Sequence, residues 1–242
     1  VCAGKPYVLN AIGKNLNYYE WTRNGVPLPA YNGKASIDCT DTVPVGQPSA
    51  EVVYGVKAVY DNNCESDTTF TVTIYAKPTD LTINGIQGPG AMDSVCVGSS
   101  KQLSVMPING SSLTGASYLW NGVGITNQTA ATQTITPTVA GIAPYSCQIT
   151  LPGGCDTTIL IDLKAVPLPE LSVCKDTTIC TGGTAMLYLT AKNNCPAGTT
   201  IVWTSTGGGG GSGDTIYVSP KTTTTYTITA KTPTPLQCSQ TA

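Results

Sequence analysis

The residues of this sequence with the greatest capacity for chemistry are its cysteines, since ten occur among 242 residues while histidine is absent. Without an imidazole the chain has no Ser-His-Asp or Cys-His nucleophile and no histidine ligand for zinc. No Cys-x-x-Cys pair, the common spacing of thiolate metal ligands, occurs either. We therefore interpret the cysteines as disulfide-forming residues of a protein in an oxidising setting outside the cell.

Three other patterns resemble binding or catalytic motifs, but each has a simpler interpretation. The run Gly207–Gly211 lacks the Lys-Ser/Thr ending of a phosphate-binding loop and precedes a strand-like segment, Asp214–Val218, rather than a helix. The turn at 61–67 groups oxygen ligands, yet its spacing matches no EF-hand, and Asn and Asp are ordinary turn formers. The four glutamates form no recognisable acid/base pair. We predict a non-enzymatic chain without metal or cofactor.

The charge pattern limits the partners of this segment. Charged residues make up 11% of the chain, the net charge is −2, and Lys and Arg are scattered singly. We therefore predict no nucleic-acid partner, because binding a phosphate backbone needs a basic stripe. No run of eighteen apolar residues occurs, so we expect no membrane insertion by this segment.

Cysteine, tryptophan and tyrosine landmarks recur three times along the chain in the same order. Each repeat opens with Cys-x-Gly, continues through an alternating segment to a tryptophan and a tyrosine-led strand, and reaches a second cysteine after a turn. The landmarks are Cys2, Trp21, Tyr54 and Cys64, then Cys96, Trp120, Tyr145 and Cys155, then Cys180, Trp203, Tyr226 and Cys238. The opening cysteines lie 94 (96 − 2) and 84 (180 − 96) residues apart, which is the length of a seven-stranded sandwich.

The residues between the landmarks favour strands. Thr, Val, Ile and Tyr dominate the alternating segments, and no long stretch shows helical apolar spacing. The predicted fold class is all-β, with three tandem immunoglobulin-like β-sandwich domains and intradomain disulfides. Pro78 and Pro167 cannot donate to a strand ladder, so we place the domains at 1–78, 79–167 and 168–242, the first without a lead-in strand and the third with a truncated last strand. The core residues are predicted to be Trp21, Trp120, Trp203, Tyr54, Tyr145 and Tyr226.

Sequence alone leaves the cysteine connectivity open. We favour one bridge in each repeat, each closing a loop of about sixty residues and worth roughly 4 kcal/mol. These bridges are Cys2–Cys64, Cys96–Cys155 and Cys180–Cys238, with a fourth, Cys174–Cys195, inside the third repeat. Cys147 aligns with the apolar positions Val56 and Ile228 and is predicted to be a buried thiol. A Cys39–Cys147 bridge between domains is the alternative.

The landmark order, with Tyr19-Glu20-Trp21 and the threonine-rich strand Thr222–Thr229 among its members, resembles the Ig-like/PKD-like repeats of very large Bacteroidota cell-surface proteins. These proteins include the SprB-type gliding-motility adhesins exported by the type IX secretion system. The resemblance covers all three repeats. It implies an extracellular location on the bacterial cell surface and a structural or adhesive role in a long adhesin or filament, linked to gliding motility or surface attachment. The implied partners are neighbouring repeats of the same long chain, surface glycans and other adhesin chains.

The same resemblance suggests a modification and leaves one alternative function. Secreted proteins of that group are often O-glycosylated at Asp-Ser/Thr followed by an apolar residue or Thr, although abundant threonine also produces such matches by chance. The matching hydroxyl residues are Thr42, Thr68, Ser94, Thr157, Thr177 and Thr215. The alternative function is a spacer or carbohydrate-binding region of a large secreted hydrolase, because β-sandwiches serve both uses.

Overall fold

A computed structural model of the chain describes residues 1–13, 16–61, 63–88, 90–108 and 112–242. Its regular structure consists of β-strands and one short 3-10 helix, with no α-helix in those ranges. None of the described helical structure is long enough to span a membrane. The predicted all-β class is confirmed, and the strands form three sandwiches in chain order.

The first sandwich has two antiparallel sheets. One contains strands in the order β3-β2-β5-β6, and the other pairs β1 with β4. Alternating apolar side chains from both sheets enclose one core between them. The elements are β1 (Tyr7–Asn10), β2 (Leu16–Arg23), β3 (Val26–Pro27), the 3-10 helix (Pro29–Tyr31), β4 (Ser36–Cys39), β5 (Ser49–Tyr60) and β6 (Glu65–Tyr75).

The second sandwich packs the sheet β10-β12-β13-β8 against the sheet β11-β9-β7. Its strands pair antiparallel except for β8, which runs parallel to the end of β13. The strands are β7 (Leu81–Ile83), β8 (Met92–Cys96), β9 (Lys101–Pro107), β10 (Ser117–Asn121), β11 (Thr132–Ile135), β12 (Gly141–Thr150) and β13 (Asp156–Val166).

The third sandwich repeats this plan, with the sheet β17-β16-β19-β20 against the sheet β14-β15-β18. The strands are β14 (Glu170–Val173), β15 (Ala185–Asn193), β16 (Thr200–Ser205), β17 (Gly210–Ser212), β18 (Thr215–Val218), β19 (Tyr226–Lys231) and β20 (Ser239–Thr241). The three core clusters share no residue. The domain limits at Pro78 and Pro167 stay a prediction.

Each core is centred on a tryptophan of an equivalent strand, β2, β10 or β16. The three side chains are 1%, 0% and 4% exposed, in chain order. A buried indole N–H needs an acceptor, and each donates to a backbone carbonyl 10 or 13 residues further on. The acceptors are Lys34 for Trp21 at 2.9 Å, Ala130 for Trp120 at 3.0 Å and Gly213 for Trp203 at 2.9 Å. The tyrosines Tyr54 and Tyr145 are buried as well, and Tyr226 packs half-buried against the third core.

Cys39 and Cys147 are buried thiols in two different cores, so they do not bond to each other. Cys147 lies opposite Trp120, at the position that Val56 and Ile228 occupy opposite the other two tryptophans. It therefore fills an apolar core position, as the repeat alignment predicts. Burial raises the pKa of the Cys147 thiol to about 12 and also raises the pKa of Cys39, which keeps both in the unreactive protonated form.

The predicted disulfides within each sandwich are wrong. Cys2 bonds to Cys155 and Cys96 bonds to Cys238, so each bridge joins one sandwich to the next. Cys180, the predicted partner of Cys238, carries an unbonded thiol. The disulfides therefore reinforce the connections between sandwiches. Each sandwich itself is held together by its core and its strand ladders.

The length of the last strand explains this correction. Cys2 pairs with Tyr75, the final residue of β6, whereas Cys64 directly precedes the start of β6. Eleven residues of strand put these ends roughly 33 Å apart, while the Cα atoms of a disulfide lie within about 7 Å of each other. Cys96 and Cys155 likewise lie at opposite ends of β13. This separation excludes the predicted bridges Cys2–Cys64 and Cys96–Cys155.

The predicted bridge Cys174–Cys195 is also wrong, since both residues are unbonded thiols. Strands β14 and β15 are antiparallel, with Glu170 opposite Asn193. Cys174 follows the other end of β14, where its N–H donates to the carbonyl of Tyr188. Because Cys195 lies beyond Asn193, the two cysteines are separated by at least about 13 Å of strand.

Candidate functional site

The junctions between consecutive sandwiches bring four of the ten cysteines together as two disulfides. The first junction contains Cys2 and Cys155, and the second contains Cys96 and Cys238. In both bridges the Cα atoms are 5.5 Å apart. Cys155 and Cys238 are each 1% exposed, so the bridges lie in packed interfaces with restricted access to reductants.

The opening cysteine of a sandwich is held beside the last residue of that sandwich's final strand. At the first junction the N–H of Ala3 donates to Tyr75 at 2.8 Å, and the N–H of Tyr75 donates to Val1 at 2.7 Å. At the second junction β8 pairs with β13, and the N–H of Val97 donates to Val166 at 2.9 Å. The backbone ladder thus places each opening cysteine at the end of its sandwich that faces the next one.

The second cysteine of each repeat is fixed by the turn before the final strand. The N–H of Leu151 donates to the carbonyl of Cys155 at 2.8 Å, and the N–H of Thr232 donates to that of Cys238 at 2.9 Å. This turn lies at the opposite end of the sandwich from the opening cysteine. Consecutive sandwiches therefore meet with an opening cysteine on one side and a turn cysteine on the other.

Glycine allows the first junction to close. Gly153, in the turn before Cys155, lies directly under the ring of Tyr75, and a Cβ on Gly153 would collide with that ring. The Sγ of Cys155 also approaches the backbone carbonyl of Tyr75, at 3.7 Å. Tyr75 therefore serves as the packing surface on which the turn of the second sandwich rests.

The second junction contains a cleft of about 550 Å³. Its wall includes the apolar side chains of Val97, Val139, Leu168 and Leu171, and among its described lining residues Glu170 has the only charged side chain. No pair of groups suited to acid/base catalysis lines it. The described residues also contain no cluster of three or more His, Cys, Asp or Glu that could hold a metal ion.

A buried ionic cluster in the first sandwich was missed by the sequence analysis. Asp41 lies two residues after the end of β4 and is 2% exposed. It accepts hydrogen bonds from the hydroxyls of Tyr7 and Tyr54, the latter at 2.7 Å, and from the Nε of Arg23 at 2.9 Å. The carboxylate is therefore fully partnered, and the cluster is a structural one that ties β1, β2 and β5 together.

The cluster holds its members in fixed protonation states. Burial alone would raise the pKa of Asp41, but hydrogen bonds from Tyr7, Tyr54 and Arg23 outweigh it and hold the pKa below its ordinary value of 3.8. Burial, together with hydrogen bonding to the carboxylate, raises the pKa of Tyr7 to about 12 and also raises that of Tyr54. At neutral pH the carboxylate is ionised and both hydroxyls are protonated.

Asp41→Asn is expected to lower the free energy of unfolding of the first sandwich by about 2 kcal/mol, since the charged acceptor of several hydrogen bonds is lost. Arg23 is partly exposed and regains some hydration, which limits the loss. The matched control is Asp38→Asn on the exposed side of β4, which should change stability by less than about 0.5 kcal/mol. Urea unfolding followed by hydrogen exchange of the first sandwich measures both.

The effect of Asp41 should also depend on pH. A carboxyl whose pKa is lowered by folding contributes stability that is fully present above its ordinary pKa of 3.8 and is lost as the pH falls through the folded-state value. The stability difference between the parent chain and Asp41→Asn should therefore shrink between about pH 5 and about pH 2. A difference that stays constant over that range would show that the carboxylate charge contributes nothing.

The candidate glycosylation residues differ in accessibility. Four threonines are exposed, whereas Ser94 and Thr157 are half-buried beside strand pairings. The exposed ones are Thr42, Thr68, Thr177 and Thr215. Modification at any of these six residues stays a prediction, and the exposed four offer the better access to a transferase.

No family model matches this sequence, and no curated protein does. Among solved structures, the chain is similar to three N-terminal domains of the bacteriophage RB49 highly immunogenic outer capsid protein, at 15% identity over 100% of this chain and 93% of that one, with a TM-score of 0.45. It is also similar to fibronectin(III)-like modules of Clostridium thermocellum CbhA, at 12% identity over 69% and 88%, with a TM-score of 0.35. A third is Bacteroides ovatus SGBP-B, at 12% identity over 99% and 64%, with a TM-score of 0.26.

The sandwich architecture follows from the sheets and the three separate cores of the chain itself. That architecture serves structural and binding roles on many unrelated proteins. The feature of this chain that bears most directly on its role is the placement of its two disulfides at the junctions.

Proposed function

We propose that this chain is a covalently reinforced structural segment of a long adhesin or filament on the outer surface of a bacterial cell, with a role in surface attachment or gliding motility. The observation that carries the proposal is that each pair of consecutive sandwiches is joined twice, once by the polypeptide and once by a disulfide. A second covalent connection suits a segment that bears tension, whereas binding by a single module does not call for one.

The double connection stiffens each junction. A single flexible linker lets two domains swivel about it. Here the linkers between the last strand of one sandwich and the first strand of the next are short, spanning only residues 76–80 and 167–169. Each contains proline, which restricts the backbone further. With a bridge beside the linker, bending and twisting of one sandwich on the next are both limited, which supports a stalk that holds a binding region away from the cell.

The chemistry of the junctions supports an extracellular location. Disulfides persist in oxidising surroundings and are rare where cellular reductants are present. Serial sandwich arrays gain their reach from the number of repeats, and the sequence resembles repeats of bacterial surface adhesins. Export through the type IX secretion system, and a Bacteroidota origin, belong to the same proposal and rest on that sequence resemblance.

The test separates a structural role from a binding role in the cell that makes the protein. Replacing residues 1–242 with an unrelated sandwich array of equal length should preserve surface attachment, whereas deleting them should reduce it. Labelling of intact cells with a membrane-impermeant reagent checks that both variants are displayed. Loss of attachment in the equal-length replacement, with normal display, would instead indicate that this segment itself binds the ligand, as a carbohydrate-binding region would.

A further inference from the structure

The opening cysteines of all three repeats lie in the same local backbone structure. In each, the carbonyl of the cysteine accepts a hydrogen bond from the N–H three residues further on. The bonds are Lys5 to Cys2 at 3.1 Å, Ser99 to Cys96 at 3.0 Å and Gly183 to Cys180 at 2.8 Å. Cys180 therefore occupies the position from which the two formed bridges start.

The cysteines that receive these bridges also share one structure. Cys155 and Cys238 lie in the turn before the final strand, each with its carbonyl bonded to the N–H of the residue that starts the turn. Each bonds to the opening cysteine of the sandwich before it. The two bridges thus follow one rule, in which the opening cysteine of a sandwich bonds to the turn cysteine of the following sandwich.

Cys180 lies in the position, and has the exposure, that a third bridge of this kind would require. Its thiol is unbonded and exposed, whereas the unbonded thiols of Cys39 and Cys147 are buried. The other two cysteines of the third repeat are unbonded and only partly exposed, and neither lies in an opening or a turn position.

We propose that Cys180 is one half of a third junction disulfide, whose partner is the turn cysteine of a further sandwich of this repeat type on the C-terminal side of the third. The bond forms by thiol–disulfide exchange with a small-molecule disulfide such as oxidised glutathione. The S–S bond of glutathione breaks, an S–S bond forms between the two cysteines, and their two protons pass to the two glutathione thiolates released. This inference concerns covalent linkage alone and holds whether or not the array is adhesive.

The direct test is mass spectrometry of non-reduced peptides from the full-length protein isolated from the cells that make it, with thiols alkylated before lysis. We expect the Cys180 peptide to be joined to a peptide whose cysteine immediately precedes the last strand of the following sandwich. An alkylated Cys180, or a link to Cys174, Cys195 or a second copy of this chain, would overturn the proposal.

A spliced chain tests the same rule without the native source. Residues 1–238 are followed by residues 156–242, which supply a final strand for the third sandwich and a further sandwich with its own copy of Cys238. Refolding in a glutathione buffer should join Cys180 to that added copy. Cys180→Ser is the matched control, in which the added Cys238 should react with a maleimide.

The spliced chain contains its own folding check. Formation of Cys2–Cys155 and Cys96–Cys238 in the same molecules shows that the first three sandwiches have assembled. If both form while Cys180 and the added Cys238 remain thiols, the rule does not extend to Cys180 and the proposal fails.

Discussion

When the oxidised chain is pulled from its two ends, its fully extended length is expected to be only about a quarter of the length that the reduced chain reaches. With both bridges intact, the shortest covalent path runs through Cys2–Cys155, back along 59 residues (155 − 96) to Cys96, and through Cys96–Cys238. With the few residues outside the bridges, this path holds roughly 64 residues, or about 220 Å, against about 850 Å for the whole chain.

Single-molecule force spectroscopy measures this length, and single variants distinguish the two bridges. In Cys2→Ser the path runs from residue 1 to Cys96 and across to Cys238, which is roughly 100 residues or about 350 Å. In Cys96→Ser the path runs from residue 1 through the Cys2–Cys155 bridge and then along the chain from Cys155 to residue 242, which is roughly 89 residues or about 310 Å. An extension of either oxidised variant that equals that of the intact chain would contradict the connectivity.

Gly153→Ala is expected to slow formation of the Cys2–Cys155 bridge by roughly five- to 140-fold, because overpacking of this kind costs about 1–3 kcal/mol. The added methyl would meet the ring of Tyr75 and hold the two sandwiches apart. The measurement is the fraction of each bridge formed with time during refolding in a glutathione buffer, read by non-reduced peptide mapping.

Gly154→Ala is the matched control for this prediction. Both glycines have a positive φ, +95° for Gly153 and +79° for Gly154, so alanine strains the backbone at either position. Only Gly153 faces an obstacle, since a Cβ on Gly154 meets nothing within 4 Å. The Cys96–Cys238 bridge should form normally in both variants. Equal slowing of the first bridge by the two substitutions would show that backbone strain, not contact with Tyr75, is responsible.

Much of the interior was predictable from sequence because each landmark reports its own local environment. A tryptophan in the same phase of three repeats, followed by an apolar residue on the next strand, fixes the face that points inward. Cys147 illustrates this, since it falls where Val56 and Ile228 lie and is buried with them. Such positions depend on strand alternation and burial, which are properties of a short stretch of chain.

The disulfide pairing was not predictable in the same way, because a repeated cysteine shows its phase within a repeat but not its partner. Whether two cysteines meet inside one sandwich or across two depends on which ends of the final strand they occupy. That is set by the pairing of Cys2 with Tyr75 and of β8 with β13, which are contacts between residues 73 (75 − 2) and 70 (166 − 96) positions apart along the chain. The Asp41 cluster was missed for a related reason, since Asp41, Tyr7 and Arg23 are not among the recurring landmarks and meet Tyr54 only through contacts distant along the chain.

The two junction bridges also determine what happens when the backbone is cut. Three separate stretches of polypeptide, 2–96, 96–155 and 155–238, connect the same two bridged points in parallel. A protease that cleaves one stretch therefore leaves both ends of the molecule attached, and even a second cleavage in a different stretch does so. In surroundings rich in secreted proteases, such a segment would not be severed by a single nick, and whatever it carries at its far end would stay tethered.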